Sequence, residues 1–261
     1  MYQIMHNQLL PTLLIFFISL PAILSGSLAS AQTPDASEIV SRANDKLRGN
    51  TSEAELTMRI VRPTWQREIE MKTWTRGNDY TLVYIEAPAR DEGTAYLKRG
   101  NEMWNWVPKV GRVVKLPPSM MMQSWMGSDF TNDDLVEQSS IVTDYTHKVL
   151  GDTTISDYDC WKVELTPKED AAVVWGRIVM HVSKEEYLEL RTEFYDEDNE
   201  IVNLMQGMDV KEFDQRTIPS RFEMIPMDEE GKKTVLLYRA ITFNTGIPED
   251  FFSIQNMKRI D

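Results

Sequence analysis

Apolar and charged residues take turns along Glu68-Ile69-Glu70-Met71-Lys72, and the same alternation recurs over residues 161–165, 178–182 and 188–191. A period of two puts one row of side chains in a core and the other in water, as antiparallel sheets permit. Turn-forming clusters punctuate the pattern: Arg76-Gly77-Asn78-Asp79, Arg99-Gly100-Asn101, Lys109-Val110-Gly111-Arg112, Gly151-Asp152, Asp196-Glu197-Asp198-Asn199 and Asp228-Glu229-Glu230-Gly231. Their spacing predicts about ten strands, roughly half on each side of residues 117–136. Ahead of the strands, Ala36, Ile39, Val40, Ala43 and Leu47 recur at helical spacing, so one long helix is predicted over 35–48, stopped by Gly49-Asn50.

The segment 117–136 breaks the strand pattern with PPSMMMQSWMGSDFTNDDLV. Pro117-Pro118 ends a strand, Ser119 is a candidate N-cap, and Met120 to Met126 make about two helical turns before Gly127. Thr131 with Asp134 three residues on is a near capping box for a second short helix, and Phe130 with Leu135 has the spacing of a hydrophobic staple. Three consecutive methionines cannot share one helical direction, so at least one of Met120, Met121 and Met122 points away from the core. Two apolar helices set into a β protein suggest a lid over an apolar surface, and methionine suits variable apolar partners.

The amino terminus reads as a secretory signal. An uncharged apolar run over 9–24 is followed by Ala29-Ser30-Ala31, an A-x-A cleavage pattern, so cleavage is expected after Ala31. The run is short for a membrane span and is interrupted by Pro11 and Pro21. Residues 32–261 then form one domain, with no composition break or internal repeat. Cys160 is the single cysteine, so no intramolecular disulfide holds the fold. The net charge of −13 argues against nucleic acid and against stable docking on anionic lipid, leaving transient membrane contact only. Residues 88–116 carry a local net of +3, with Arg90, Lys98, Arg99, Lys109, Arg112 and Lys115 against Asp91, Glu92 and Glu102. No G-x-S-x-G, H-E-x-x-H, phosphate-binding glycine loop or cysteine pair appears, so neither an enzyme nor a cofactor is expected. The acidic run Asp196–Glu200 lacks the glycine and ligand spacing of a calcium loop, and no metal site is assigned.

Several motifs together resemble a known family. They are Ala87-Pro88-Ala89-Arg90-Asp91-Glu92-Gly93-Thr94, Trp104-Asn105-Trp106-Val107-Pro108, Gly111-Arg112-Val113, Met126-Gly127-Ser128-Asp129-Phe130-Thr131-Asn132-Asp133-Asp134-Leu135, and Asn244-Thr245-Gly246-Ile247-Pro248-Glu249-Asp250-Phe251-Phe252. The chain resembles the periplasmic "outer membrane lipoprotein-sorting protein" family, a LolA-like group. The resemblance implies a mainly β (α+β) fold: one curved, incomplete antiparallel barrel, with an N-terminal helix and short lid helices covering its concave face. It further implies a periplasmic carrier that holds acyl chains of a lipoprotein or lipid, receives them from an inner-membrane exporter of ABC or RND type, and gives them to an outer-membrane acceptor. A sensor that binds lipid or lipoprotein and reports to a membrane partner is the alternative. The candidate cavity residues are Met120, Met121, Met122, Trp125, Met126, Phe130 and Leu135 on the lid, with Trp104, Trp106, Ile69, Met71, Met180, Leu190 and Met205 on the sheet. A plain core role is the alternative for each sheet residue, because alternation does not say which face of a strand is concave.

Overall fold

The alternating segments assemble into one antiparallel sheet whose two edges stay apart. The computed structural model describes residues 1–2, 34–137, 140–169, 171 and 173–260, with the backbone alone at 135–137 and 140. The chain divides into the units Met1–Thr33 and Pro34–Asp261, and every described element lies in the second. The expected leader, residues 1–31, lies outside the described residues beyond Met1 and Tyr2.

Helix α1 (Ala36–Arg48) starts where Asp35 accepts a hydrogen bond from Ser37 N and ends at Gly49, whose φ of 62° an L side chain rarely adopts. Six strands follow: β1 (Thr51–Arg62), β2 (Trp65–Arg76), β3 (Tyr80–Ala87), β4 (Ala95–Arg99), β5 (Glu102–Val107) and β6 (Arg112–Lys115). A strap over residues 116–144 carries a 3-10 turn (Pro118–Met120) and the short helices α2 (Asn132–Glu137) and α3 (Ser140–Thr143). Seven more strands complete the sheet: β7 (Tyr145–Ile155), β8 (Tyr158–Pro167), β9 (Arg177–Ser183), β10 (Glu189–Tyr195), β11 (Ile201–Phe213), β12 (Arg216–Pro226) and β13 (Lys233–Phe243). A second 3-10 turn (Glu249–Phe251) and α4 (Ile254–Met257) end the chain.

The strand order is β6-β5-β4-β3-β2-β1-β13-β12-β11-β10-β9-β8-β7. All neighbours but one are consecutive in sequence. The exception, β1 with β13, joins two meanders into a curved, unclosed half-barrel. Among the described residues the strand count is thirteen rather than about ten, six before the strap and seven after it. The excess has a local cause. The β7–β8 turn is Ser156-Asp157 and the β11–β12 turn is Asp214-Gln215, all four residues with positive φ and none a glycine. A third tight turn, Pro63-Thr64, also lacks glycine. Gly151-Asp152, in contrast, is no turn: it lies inside β7 at a register shift.

Both faces of the sheet are covered. On the inner face, α1 packs Ile39, Val40 and Ala43 against Val163, Met180 and Phe222. The strap sets Trp125 against Met58, Ile69 and Ile241. On the outer face of β2–β5, the C-terminal segment lays Phe252 and Met257 over Trp74, Leu82 and Leu97.

Gly207 of β11 marks a close approach, since a Cβ there would lie 2.4 Å from the Glu189 carbonyl oxygen. Gly207→Ala is expected to cost about 1–3 kcal/mol and to lower Tm by several degrees. A melt unchanged by the substitution would rule out this backbone contact.

Candidate functional site

Strands β6 and β7 are consecutive in the chain yet sit at opposite edges of the sheet, so the strap has to cross its open side. The Met120–Met126 helix expected there does not form beyond one 3-10 turn. Met126 and Gly127 both adopt positive φ, 52° and 79°, which ends any right-handed helix. The amides are instead spent in a tight loop: Trp125 N donates to Phe130 O (2.7 Å) and Asn132 N to Gln123 O (2.9 Å), around a Ser124–Thr131 bridge. Ser119 is not the cap; the first turn starts after Pro117 with no side-chain cap. The capping box at α2 is present. Asp134 N donates to Thr131 Oγ1 (3.1 Å), and Thr131 N donates back to an Asp134 carboxylate oxygen (2.7 Å).

Two arginines hold the loop down. Arg62, at the end of β1, meets Asp129 with both guanidinium arms, at 2.9 and 3.0 Å, and donates to Gly127 O at 3.0 Å. The pair is nearly enclosed, its side chains 12 % and 10 % exposed. Thr234 of β13 seals it from the other side, donating its hydroxyl to Asp129 and accepting from Asp129 N. Arg67 of β2 bonds Asp91 at 2.7 Å and reaches Met126 O at 3.4 Å. Asp91 and Asp129, from two separate sequence motifs, thus act on the same loop.

Beneath strap and helix lie two cavities, of about 80 and 110 Å³, that share the lining residues Leu47, Arg48, Phe130 and Asp134. The first lobe runs under α1 between Trp175, Met180, Phe194, Met205 and Met224. The second runs over β1–β3 and β13, between Ala54, Met71, Val83, Trp125, Leu236 and Ile241. Trp125 stands edge-on to Tyr96, ring centres 5.4 Å apart.

The expected site residues divide accordingly. Trp125, Phe130, Met71, Met180 and Met205 line the lobes. Ile69 belongs to the same inner-face core, and Met121 and Met126 pack against it. Met120 is half-buried and Met122 is 60 % exposed, so one methionine of the three does turn away from the core. The Leu135 side chain lies outside the described residues. Trp104 and Trp106 are placed on the outer face. Alternation along β5 turns Met103 inward and sends them to the cluster under the C-terminal segment, where Lys115 and Lys258 lie over their rings. Leu190 is likewise away from both lobes, packed with Cys160 and Leu188. A register shift between Glu189 and Arg191 sets Glu189 toward the cavity instead.

Polar groups that the apolar pattern did not single out complete the lining. Asn44 and Arg48 continue the buried α1 row Ala36–Val40 at four-residue spacing, which is the signal that could have found them. Arg48 is 8 % exposed and donates to Thr81 Oγ1 (3.1 Å) and Gly77 O (3.4 Å). Burial pulls its guanidinium below the usual arginine value, opposed by nearby Tyr238. Burial also pushes the Tyr238 hydroxyl up to about 12. It raises the carboxyls of Glu189 and Asp134 as well, opposed by hydrogen bonds from Thr192 and from Thr131 and Trp175. At the acidic hairpin tip, Asp196 accepts from Glu200 N (2.9 Å), an ordinary turn contact. No described helix is long and apolar enough to cross a membrane.

A family model described as "Uncharacterized protein" matches residues 77–259. No curated protein matches the chain. Among solved structures, a DUF1329 family protein from Desulfovibrio piger superposes with a TM-score of 0.77 at 23% identity, over 85% of this chain and 97% of that one. An outer membrane lipoprotein-sorting protein domain, described as putative, from Vibrio parahaemolyticus gives 0.73 at 22% identity, over 86% and 100%. A LolA superfamily protein from Nitrosomonas europaea gives 0.73 at 21% identity, over 85% and 99%. The LolA-like fold implied by the sequence motifs is the fold of this chain.

Removing one partner of an enclosed ion pair leaves the other charge buried, at a cost of about 3–5 kcal/mol. Arg62→Ala is therefore expected to loosen the strap, seen as faster proteolysis and hydrogen exchange within residues 117–131. Unchanged protection there would show that other contacts hold it.

Glu189 gives a pH dependence of definite sign. Its folded carboxyl titrates above the ordinary 4.5. In the window between the two values the folded state holds a proton that the unfolded state lacks, so stability rises as pH falls. Glu189→Gln is expected to melt above wild type at pH 8, the gap closing as pH falls toward 4.5. Parallel melting curves across that range would contradict the buried assignment.

Proposed function

Because this chain belongs to the "Uncharacterized protein"-like family whose model spans residues 77–259 and has the fold of LolA-superfamily proteins, we propose that it is a carrier of acyl chains. It holds the chain of a lipid or lipoprotein between the inner sheet face, α1 and the strap. The observation that carries this is the pair of apolar lobes meeting under a strap that is itself bound to the sheet by ion pairs.

The carrier works in the periplasm, after removal of a leader that ends at Ala31. It takes cargo from an inner-membrane exporter of ABC or RND type and delivers it to an outer-membrane acceptor. Its task is binding and release, without turnover. Met121, Trp125, Met126 and Phe130 from the strap, with Met71, Met180 and Met205 from the sheet, form the contact surface.

The physics of transfer suits this design. Burying a methylene contributes about 0.8 kcal/mol against water, so a chain of roughly 16 carbons gains on the order of 12 kcal/mol. Against a bilayer the net is near zero, because the chain was already in hydrocarbon. A methionine- and aromatic-lined cavity need only match that environment, and direction comes from the donor and the acceptor. The lobes are small beside the roughly 300 Å³ at which ligand pockets begin. Loading therefore lifts the strap or α1 from the sheet.

Native mass spectrometry with organic extraction, on protein purified without detergent, tests this. A co-purified acylated species is expected, transferable to acceptor vesicles. A clean mass that persists after incubation with lipid vesicles would overturn the carrier function.

A further inference from the structure

Three neighbouring loops at one end of the first meander are tied into a single rim. They are the β1–β2 turn at Pro63-Thr64, the β3–β4 loop over residues 88–94 and the β5–β6 turn over 108–111. Arg67, near the start of β2, bonds Asp91 of the second loop at 2.7 Å. Lys109 of the third donates to the Arg90 carbonyl at 2.7 Å, and a Cβ on Gly93 would lie 2.9 Å from Pro108 Cγ. The same Arg67 reaches Met126 O, and Arg62 beside the first turn holds Asp129, so the rim also carries the fastened end of the strap.

This rim presents apolar and cationic groups side by side. Val110 is 63 % exposed and Trp65 51 %, at the third and the first loop. Around them are the cations Arg67, Arg90, Lys109 and Arg112 against the carboxylates Asp91 and Glu92, and Asp91 is already held by Arg67 and Arg90. On a chain of net charge −13 that makes a local positive field. The field ends at Pro63, against which lies Gly231 of a turn that carries Asp228, Glu229 and Glu230. Apolar tips set among cations fit an anionic lipid surface: the headgroups meet the charges, and the interfacial layer takes the valine and the indole. Separate tips, rather than a groove, suit a fluid surface better than the fixed relief of a protein. Charges beyond about 8 Å are screened at physiological salt, so the acidic body shortens the contact without forbidding it.

We propose that this rim docks transiently on the anionic headgroups of a phospholipid bilayer, with Val110 and Trp65 entering the interfacial layer. The docking rests on the carrier function for its purpose, since it brings the fastened end of the strap to the lipid.

The test is sedimentation of the protein with sucrose-loaded vesicles at about 0.15 M salt. One set is phosphatidylcholine; the other is phosphatidylcholine and phosphatidylglycerol in equal parts. The wild type is expected to pellet several-fold more with the mixed vesicles, and less as salt is raised. A cation near an anionic surface contributes about fivefold in binding, so Arg112→Glu is expected to lower it tenfold or more. Arg99→Glu makes the same charge change on an exposed residue at the opposite end of the strands and is expected to leave binding nearly unchanged. Val110→Ser, at constant charge, is expected to lower it several-fold. Equal losses in Arg112→Glu and Arg99→Glu would mean that net charge alone acts, and would overturn the rim. Wild-type protein that stays in the supernatant with both vesicle types overturns the docking and turns the search to an acidic protein surface. Docking is read from protein in the pellet and cargo from lipid carried by protein in the supernatant, so either can fail while the other stands.

Discussion

The Arg62–Asp129 pair is the fastening on which the inner half of this molecule depends. A curved, unclosed sheet exposes one apolar face, and its topology sends the chain from one edge to the other across that face. A connection of this length has no intrinsic reason to lie flat. The pair binds the middle of the crossing to the central strands, with Thr234 filling the remaining valence of the carboxylate and the Gly127 carbonyl that of the guanidinium. Charged pairs enclosed in protein contribute less to stability than their geometry suggests, because both ions lose water. What they supply here is register: only one placement of the loop satisfies both arms of Arg62 at once, and that placement carries Trp125 and Phe130 into the core.

The cavity combines two chemistries that ordinarily separate. Its walls are methionine, aromatic and aliphatic side chains, which bind through area and tolerate variation in shape. Among them stand the buried Arg48 and the half-buried Tyr238, Asp134 and Glu189, whose titrations desolvation displaces in the direction of neutrality. A purely structural core would be more stable without them. Arg48 and Asp134 line both lobes, so polar groups stand where the two meet.

Much of this was legible in the sequence. Period-two alternation identified the strands and the placement of the strap between two nearly equal halves. The spacing of Ala36, Ile39, Val40, Ala43 and Leu47 identified α1 almost to the residue, and Thr131 with Asp134 identified the cap of α2. The misses have physical causes. Turns such as Ser156-Asp157 and Asp214-Gln215 place ordinary residues at positive φ, at a local cost that strand pairing on both sides offsets, so no glycine announces them. The faces of β5 could not be assigned because the strand is apolar on both sides: Met103 goes inward and Trp104 and Trp106 outward, under a C-terminal segment more than a hundred residues distant. Leu190 follows a bulge that alternation does not reveal. The strap reads as helix by composition and folds as a loop because its amides find partners within the loop, and Arg62, the residue that fixes it, lies 67 residues from Asp129 and outside every quoted motif.

The pairing of β1 with β13 also orders events in time. Each meander closes through hairpins between neighbouring strands, contacts that cost little loop entropy and form early. Ser52 meets Phe243, by contrast, only after nearly the whole domain has been synthesised. Until then β1 is a long edge with open amides and carbonyls, the kind of template on which chains aggregate. Its outward row carries Glu53, Glu55 and Arg59, charges that face outward in the finished central strand, where Arg59 pairs with Glu68. They make sense as guards of an unfinished one, keeping the newborn edge solvated and unattractive to strangers while it waits for the last strand of its own chain.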